Sequence, residues 1–431
     1  MADHHNVSLS CIEALLNAGM THAACSLSLA RKTELTVDSG NISLLRTTDD
    51  TSLSLSGIRE EKKGSSSMNR TDEESIRNCV AEVVELVEAG EADPANVIAE
   101  KQPEESFSRG SEEPDLDLMY ARMKTFLKYT REKYPSLILE QAVLDHTAQH
   151  RYYNNSNGVS FHSVQGGYNL MVMFTSKVGK KTSSFNYAVV ASKDLSSQLR
   201  SYGGVDRLMS QSTEQTVTET LKGSFTGDVI VTPECMEDFT SMLTSYLRDY
   251  PMITGTSIFK DSLGEVIADK RLSVHSRPVS DELASGYFFT TDGFKSENNT
   301  IIENGVLKSF LLSLYGSKRT GMEKAVNSGG CYVIGPGNSS LDEMVKSTHR
   351  GILLCRFSGG NPASSGDFSG VAKNSYYIEN GEIKYPIAET MVAGNLKDMI
   401  KNIRSISKER VNNGDSIIPW IVFSGISVSG K

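Results

Sequence analysis

The sequence predicts an α+β fold in two parts. Residues 1–221 read as an N-terminal α/β domain, a sheet with flanking helices. Residues 222–431 read as a β-rich, largely antiparallel, barrel-like C-terminal domain. Three observations predict this. Segments of period two, suited to half-buried strands, recur early in the chain. Segments of helical period with recognisable caps interrupt them. After Gly255, Asn-Gly and Asp-Gly turns recur between short strand-like runs: Asp292-Gly293, Asn304-Gly305 and Asn380-Gly381.

Taken in order, Ser10-Cys-Ile-Glu13 reads as a capping box opening a first helix, which Gly19 closes. From about 23 to 57, Ser, Thr and Leu alternate, as in Cys25-Ser-Leu-Ser-Leu-Ala30 and Thr51-Ser-Leu-Ser-Leu-Ser56, and strands are expected. A second helix starts at the box Thr71-Asp-Glu-Glu74, places Ile76, Val80, Val83, Val84 and Val87 on one face, and stops at Gly90. Residues 91–113 hold seven acidic and two basic side chains with Pro, Gly and Ser, the composition of an exposed linker or long loop. A third helix is expected from Pro114 to Tyr134, with Met119, Met123, Phe126 and Leu127 inward and Pro135 ending it.

Residues 137–192 read as strands joined by turns, one of them at Asn154-Asn-Ser-Asn-Gly158. Residues 193–221 lean towards helix, with a break at Gly203-Gly204. A strand at Asp228–Thr232 then feeds a helix with Pro233 at its first position and Thr232 as N-cap, burying Met236, Phe239, Met242, Leu243, Tyr246 and Leu247. Beyond it, one or two helices are expected near 340–349 and 394–404.

The chain has 431 residues, with 44 Lys and Arg against 53 Asp and Glu, a net charge of −9. That balance argues against a nucleic-acid binder, which needs clustered cations to displace counterions. The six cysteines are scattered without a CxxC, so reduced thiols and a cytoplasmic location are expected. The N-terminus lacks a basic region before an apolar stretch, and the longest apolar runs, such as 417–423, are far too short to span a bilayer.

Catalytic motifs are sparse. No His-Glu dipeptide occurs, hence no zinc helix of the HExxH or HExxxH type. His146 and His150 have i, i+4 spacing, but their flanks read as strand, and two surface histidines are the simpler reading. Ser405-Ile-Ser-Lys408 matches SxxK without its companion motifs. Gly179-Lys-Lys-Thr182 and Gly335-Pro-Gly337 are incomplete as phosphate loops. The densest group of turn formers is 358–370, between two strands. Glycines there let another backbone come close, so either a cavity-lining loop or a wide surface turn is expected.

At this loop the chain resembles a known family. Ser358-Gly-Gly-Asn-Pro362 through Ser365-Gly-Asp-Phe368, then Tyr377-Ile-Glu-Asn-Gly-Glu-Ile-Lys-Tyr-Pro386 and Met391-Val-Ala-Gly-Asn395, is similar to the C-terminal signature of the TldD/PmbA family. Asn154–Gly158, Asp261-Ser-Leu-Gly-Glu265 and Asp281-Glu-Leu-Ala-Ser-Gly286 agree with it. The resemblance spans essentially the whole chain. It implies a cytoplasmic peptidase subunit that forms dimers around a cavity where extended peptides bind. One branch of the family carries zinc on an HExxxH helix with a cysteine near the C-terminus. The other, PmbA or TldE, lacks these and pairs with the first.

This chain departs from the zinc branch at both places. The helix in the HExxxH location is Thr232-Pro-Glu-Cys-Met-Glu-Asp-Phe239, where Glu234, Cys235 and Glu237 stand without a histidine, and the tail after Lys408 has no cysteine. The resemblance therefore implies no catalytic residue and no metal in this chain, with zinc only in a TldD-type partner. It implies a homodimer or a heterodimer with that partner, unfolded or leader peptides as substrate, and neither membrane nor nucleic acid. Gly359, Gly360, Asn361, Ser365, Gly366, Asp367 and Phe368 are the candidate cavity residues. Two other readings stand beside it: a homodimeric peptidase with an atypical metal site from His275, His349 or Cys355, and a non-catalytic peptide binder.

Overall fold

Strands of 17 to 19 residues carry the first half of the molecule: His22–Asp38, Asn41–Arg59, Leu137–Asn155 and Ser160–Val178. The computed structural model describes residues 4–430. These four strands lie antiparallel in the order Asn41–Arg59, His22–Asp38, Leu137–Asn155, Ser160–Val178 within an eight-stranded sheet, edged by Lys62–Met68 on one side and by Glu105–Arg109 and Asn186–Ser192 on the other. At roughly 3.3 Å per residue, each long strand is long enough to support two separate helical layers. Cys25, Leu27, Leu53 and Leu55 pack under the helices His4–Asn17 and Glu73–Ala89. Leu35, Val37, Ala142 and Leu144 pack further along, under Leu116–Lys133 and Val205–Glu214.

Some local expectations shift. The first helix already runs at His4, so Ser10 and Glu13 lie within it and Ser10 Oγ donates to the Val7 carbonyl at 2.8 Å. The buried stripe of Ser8, Cys11, Ile12 and Leu15 continues upstream of the apparent box and overrides it. The second helix is capped by Asp72 rather than Thr71, the Asp72 carboxylate accepting from the Ser75 N–H at 3.0 Å.

The acidic stretch 91–113 is more than an exposed loop. Its Glu105–Arg109 strand pairs in parallel with the start of Ser160–Val178. Phe107 stacks on Phe288 with centroids 5.0 Å apart, and Arg109 donates to the carbonyl of Ser285 at 3.2 Å. Asp93 pairs with Arg319 at 2.6 Å, and Gln102 donates to the Gly293 carbonyl at 2.6 Å. Its polar residues bind the second half of the chain, which composition alone cannot distinguish from solvation.

That second half is built on a 14-stranded, mostly antiparallel sheet. Its spine is Ile417–Ser429, flanked by Ser224–Val231, Tyr332–Ile334, Thr390–Asn395 and Ile403–Asn412. The spine is covered on both faces. Ile421 and Phe423 join the large core around the helix Pro233–Ser245, while Trp420 and Val422 join a smaller core under the helix Leu341–Lys346. Burial on both faces explains why these strands read as unbroken apolar runs. The hairpins at Asn304-Gly305 and Asn380-Gly381 have positive φ at both residues, as two-residue hairpin turns require. Helices Leu341–Lys346 and Leu396–Lys401 lie where expected, and two more short ones, Asp249–Ile253 and Leu314–Thr320, were not anticipated. They are too short to show helical period.

Candidate functional site

The helix Pro233–Ser245 follows directly from the buried strand Ser224–Val231, with Pro233 at its first position. Thr232, at the N-cap, spends its hydroxyl on the Cys355 carbonyl instead of on the helix. The first turn therefore projects from the sheet into a cavity of about 160 Å³ between the two halves of the molecule. The edge strand Asn186–Ser192 closes one side, and Cys355, Arg356, Asn413 and Ser416 close the other.

Each acidic group of this turn has a partner. Glu234 forms a close ion pair with Arg207, whose guanidinium also lies 5.3 Å from the centroid of the Trp420 ring. Glu237 accepts from Asn413 Nδ2 at 2.8 Å and from the Ser416 hydroxyl. Burial raises the Glu237 carboxyl above the ordinary carboxylate range, against the opposing pull of those two donors. Cys235 and Cys355 are buried, and desolvation pushes both thiols well up.

These residues do not fit zinc. Cys235 and Cys355 are enclosed in the core with no histidine beside them to complete a ligand set. Glu234 Oε2 is buried without a hydrogen-bond partner, but it stands beside a guanidinium that would repel a dication. Among the described residues no cluster of three His, Cys, Asp or Glu is placed to hold a metal. His275 bonds Thr300 Oγ1 at 3.0 Å in a sheet, His349 lies exposed just before the strand Arg350–Leu354, and Cys355 is enclosed, so the three are not gathered. His146 and His150 share the strand Leu137–Asn155 and face separate partners, the Ser111 carbonyl at 2.9 Å and Glu112 at 3.1 Å. His146 is buried, not a surface residue.

The glycine loop lies on the other flank of the same helix. The strands Arg356–Gly359 and Asp367–Lys373 pair with Gly359 opposite Gly370, and the Phe357 ring covers both: a Cβ at either would stand 2.5 Å from it. That contact explains two of the glycines. Gly366 turns the chain with φ +91°, and Gly360 faces open space. Asp367 is held by Asn395 Nδ2 at 2.9 Å and Ser365 Oγ at 2.7 Å, which lower its pKa. Gly359 and Asn361 border a groove of about 770 Å³, whose far wall is Asp238, Met242 and Tyr246 of the helix. Phe368 instead turns inward, its ring 5.3 Å from that of Phe239.

Asp238 lines both the cavity and the groove. Its carboxyl reaches solvent, yet the crowded concave surroundings raise its pKa while Arg356 opposes the shift. The sequence reading passed over Asp238, Asn413 and Ser416. The spacing of Glu234, Glu237 and Asp238, which shares a helix face, was the available signal for the first. The turn Asn412-Asn-Gly-Asp415 was the signal for the others.

Comparison with known proteins bears on this arrangement. Residues 224–430 match the family model described as PmbA/TldA metallopeptidase C-terminal domain, and residues 26–87 match that of PmbA/TldA metallopeptidase domain 1. A metalloprotease PmbA homolog of Haemophilus influenzae is 25% identical over 416 residues, 89% of this chain and 87% of that protein. The metalloprotease PmbA of Escherichia coli O157:H7 is 30% identical over 188 residues, 40% of this chain and 41% of that one. In structure, TldE of Thermococcus kodakarensis superposes with a TM-score of 0.83 at 19% identity, covering 98% of this chain and 100% of its own. A candidate modulator of DNA gyrase from Bacteroides thetaiotaomicron gives 0.88 at 20% identity, covering 100% of both chains. At these identities the two structures speak for the shared fold.

Proposed function

This chain belongs to the TldD/PmbA family, and we propose that it is a PmbA/TldE-like subunit of a two-component metallopeptidase that processes unfolded or leader peptides. The carrying observation is the first turn of the helix Pro233–Ser245, where Glu234 is tied to Arg207 and Glu237 to Asn413 and Ser416. On this reading Glu234 braces the junction between the domains through Arg207, and Glu237 ties the helix to the 413–416 turn, instead of holding zinc. A TldD-type partner carrying HExxxH supplies the metal, whose chemistry is to activate water and polarise a peptide carbonyl. This chain contributes the groove along Gly359 and Asn361, which binds and orients the peptide. Free thiols at all six cysteines support a reducing, cytoplasmic setting. No helix among the described residues is long and apolar enough to cross a membrane.

Native mass spectrometry in zinc-containing buffer tests the subunit reading. The chain alone is expected to carry no stoichiometric zinc, and mixing with a TldD-type relative is expected to give a mixed dimer that cleaves unfolded peptides. Stoichiometric zinc on the isolated chain, or chelator-sensitive cleavage by it, refutes the reading. Bulky substitutions at Gly360 and Asn361 are expected to slow processing by the mixed dimer. Unchanged processing removes the loop from the substrate path.

A further inference from the structure

The groove beside the glycine loop continues, past Arg248 and Tyr250, into a second concavity of about 310 Å³. Two cations line it, Arg248 and Lys324, and neither forms an ion pair among the described residues. The Arg248 guanidinium lies over Gly329, where an added Cβ would stand 3.3 Å from Nη2. Lys324 Nζ donates to the Ala325 carbonyl at 2.6 Å and sits 4.0 Å from the centroid of the Phe294 ring.

Two carboxylates share the pocket, but both are already hydrogen-bonded to other donors. Asp249 accepts from the Ser313 N–H at 2.9 Å and from the Ser313 hydroxyl. Asp292 accepts from the Leu314 N–H at 2.7 Å and from the Thr290 hydroxyl. Burial pulls the Lys324 pKa down while Asp292 opposes it, so an incoming anion would offset the cost of that buried charge. Tyr250, 78% exposed, marks the junction between groove and pocket and offers an aromatic face of the kind that anchors partners.

We propose that Arg248 and Lys324 form a carboxylate-binding site that anchors an extended peptide lying in the groove, through its C-terminus or an Asp or Glu side chain. The inference rests on the reading of the groove as a peptide site and adds the class of peptide it selects. Donors of these two kinds lining one pocket suit a carboxylate, with Arg248 offering a fork and Lys324 a point charge. The pocket carries two cations and two carboxylates, and because the carboxylates are occupied by Ser313, Thr290 and Leu314 while neither cation forms an ion pair among the described residues, the cations are the groups left for a ligand.

The test measures fluorescence anisotropy of the full chain with one short unstructured peptide in three forms: free C-terminal carboxylate, C-terminal amide, and amide with an internal Glu. Both carboxylate forms are expected to bind about tenfold tighter than the plain amide. Arg248→Gln and Lys324→Gln are each expected to abolish that preference. Arg248 is exposed, so its variant keeps the test valid should Lys324→Gln disturb packing around Phe294. Equal binding of the three forms, no saturable binding of any, or a preference surviving Arg248→Gln overturns the proposal. Inorganic phosphate that binds through Arg248 without any carboxylate preference among the peptides also overturns it, assigning the pocket to a free oxyanion. The assay needs neither partner nor metal. A carboxylate preference without partner-dependent cleavage would refute the proposed function and leave this site standing, and cleavage without the preference would do the reverse.

Discussion

Arg207→Met would show whether Glu234 is committed to Arg207. The two side chains are 27% and 26% exposed, so the pair is largely withdrawn from water. Removing one member of a buried pair costs about 3–5 kcal/mol, because the remaining charge is stranded. Partial exposure reduces that to about 2–3 kcal/mol, and loss of the guanidinium from the Trp420 face adds about 0.5–1 kcal/mol. The expected cost is therefore about 3 kcal/mol. Glu234→Leu in the same chain removes the stranded charge, and the double variant is expected to recover at least about 1 kcal/mol of that loss. Urea unfolding followed at Trp420, the single tryptophan of the chain, reads the change where it occurs. A cost below about 0.5 kcal/mol with no coupling between the two sites would refute the reasoning and leave Glu234 available for another role.

Further predictions concern neighbouring positions. Glu237 has a folded pKa raised above 4.5, so its contribution to stability is present below the ordinary value and lost as pH rises through the raised one. Glu237→Gln is expected to remove that decline, so melting temperatures of the two proteins plotted against pH should diverge above pH 4.5, and parallel curves would count against it. Phe368→Ala, at a 4% exposed ring packed on Phe239 and Phe357, should cost about 3–5 kcal/mol in urea unfolding. Gly370→Ala would set a Cβ 2.5 Å from the Phe357 ring and should cost about 1–3 kcal/mol, while Gly360→Ala, facing open space, should stay within about 0.5 kcal/mol. Equal effects at the two glycines would mean that Phe357 does not set the loop's shape.

The strands and helices were legible because their signals are short-range. The alternation around Leu27 and Leu53 and the stripe from Val80 to Val87 record which face is buried, and burial imposes the period. Asn304-Gly305 and Asn380-Gly381 announce hairpins because few other residues tolerate φ > 0 in succession. The misplaced first cap has the same origin. Ser10 and Glu13 satisfy a local pattern, but the buried face, which runs on upstream through Ser8 and Val7, carries more weight. The family resemblance rested on the 352–395 stretch, and the match over residues 224–430 encloses it.

By itself, then, the sequence determined the two-part α+β architecture, the family, and the absence of histidine from residues 232–239. Only the tertiary structure decided which partners Glu234 and Glu237 take. Asn413 reaches Glu237 across 176 positions, Arg207 reaches Glu234 across 27, and residues 91–113 dock on Phe288 and Arg319. Arg248 and Lys324 likewise line one pocket from distant segments. Conformational preference acts over a few residues and is written in local pattern. Which charges end paired, stranded or facing a cavity depends on how separate elements pack, and side chains so far apart in sequence carry no local mark of their meeting.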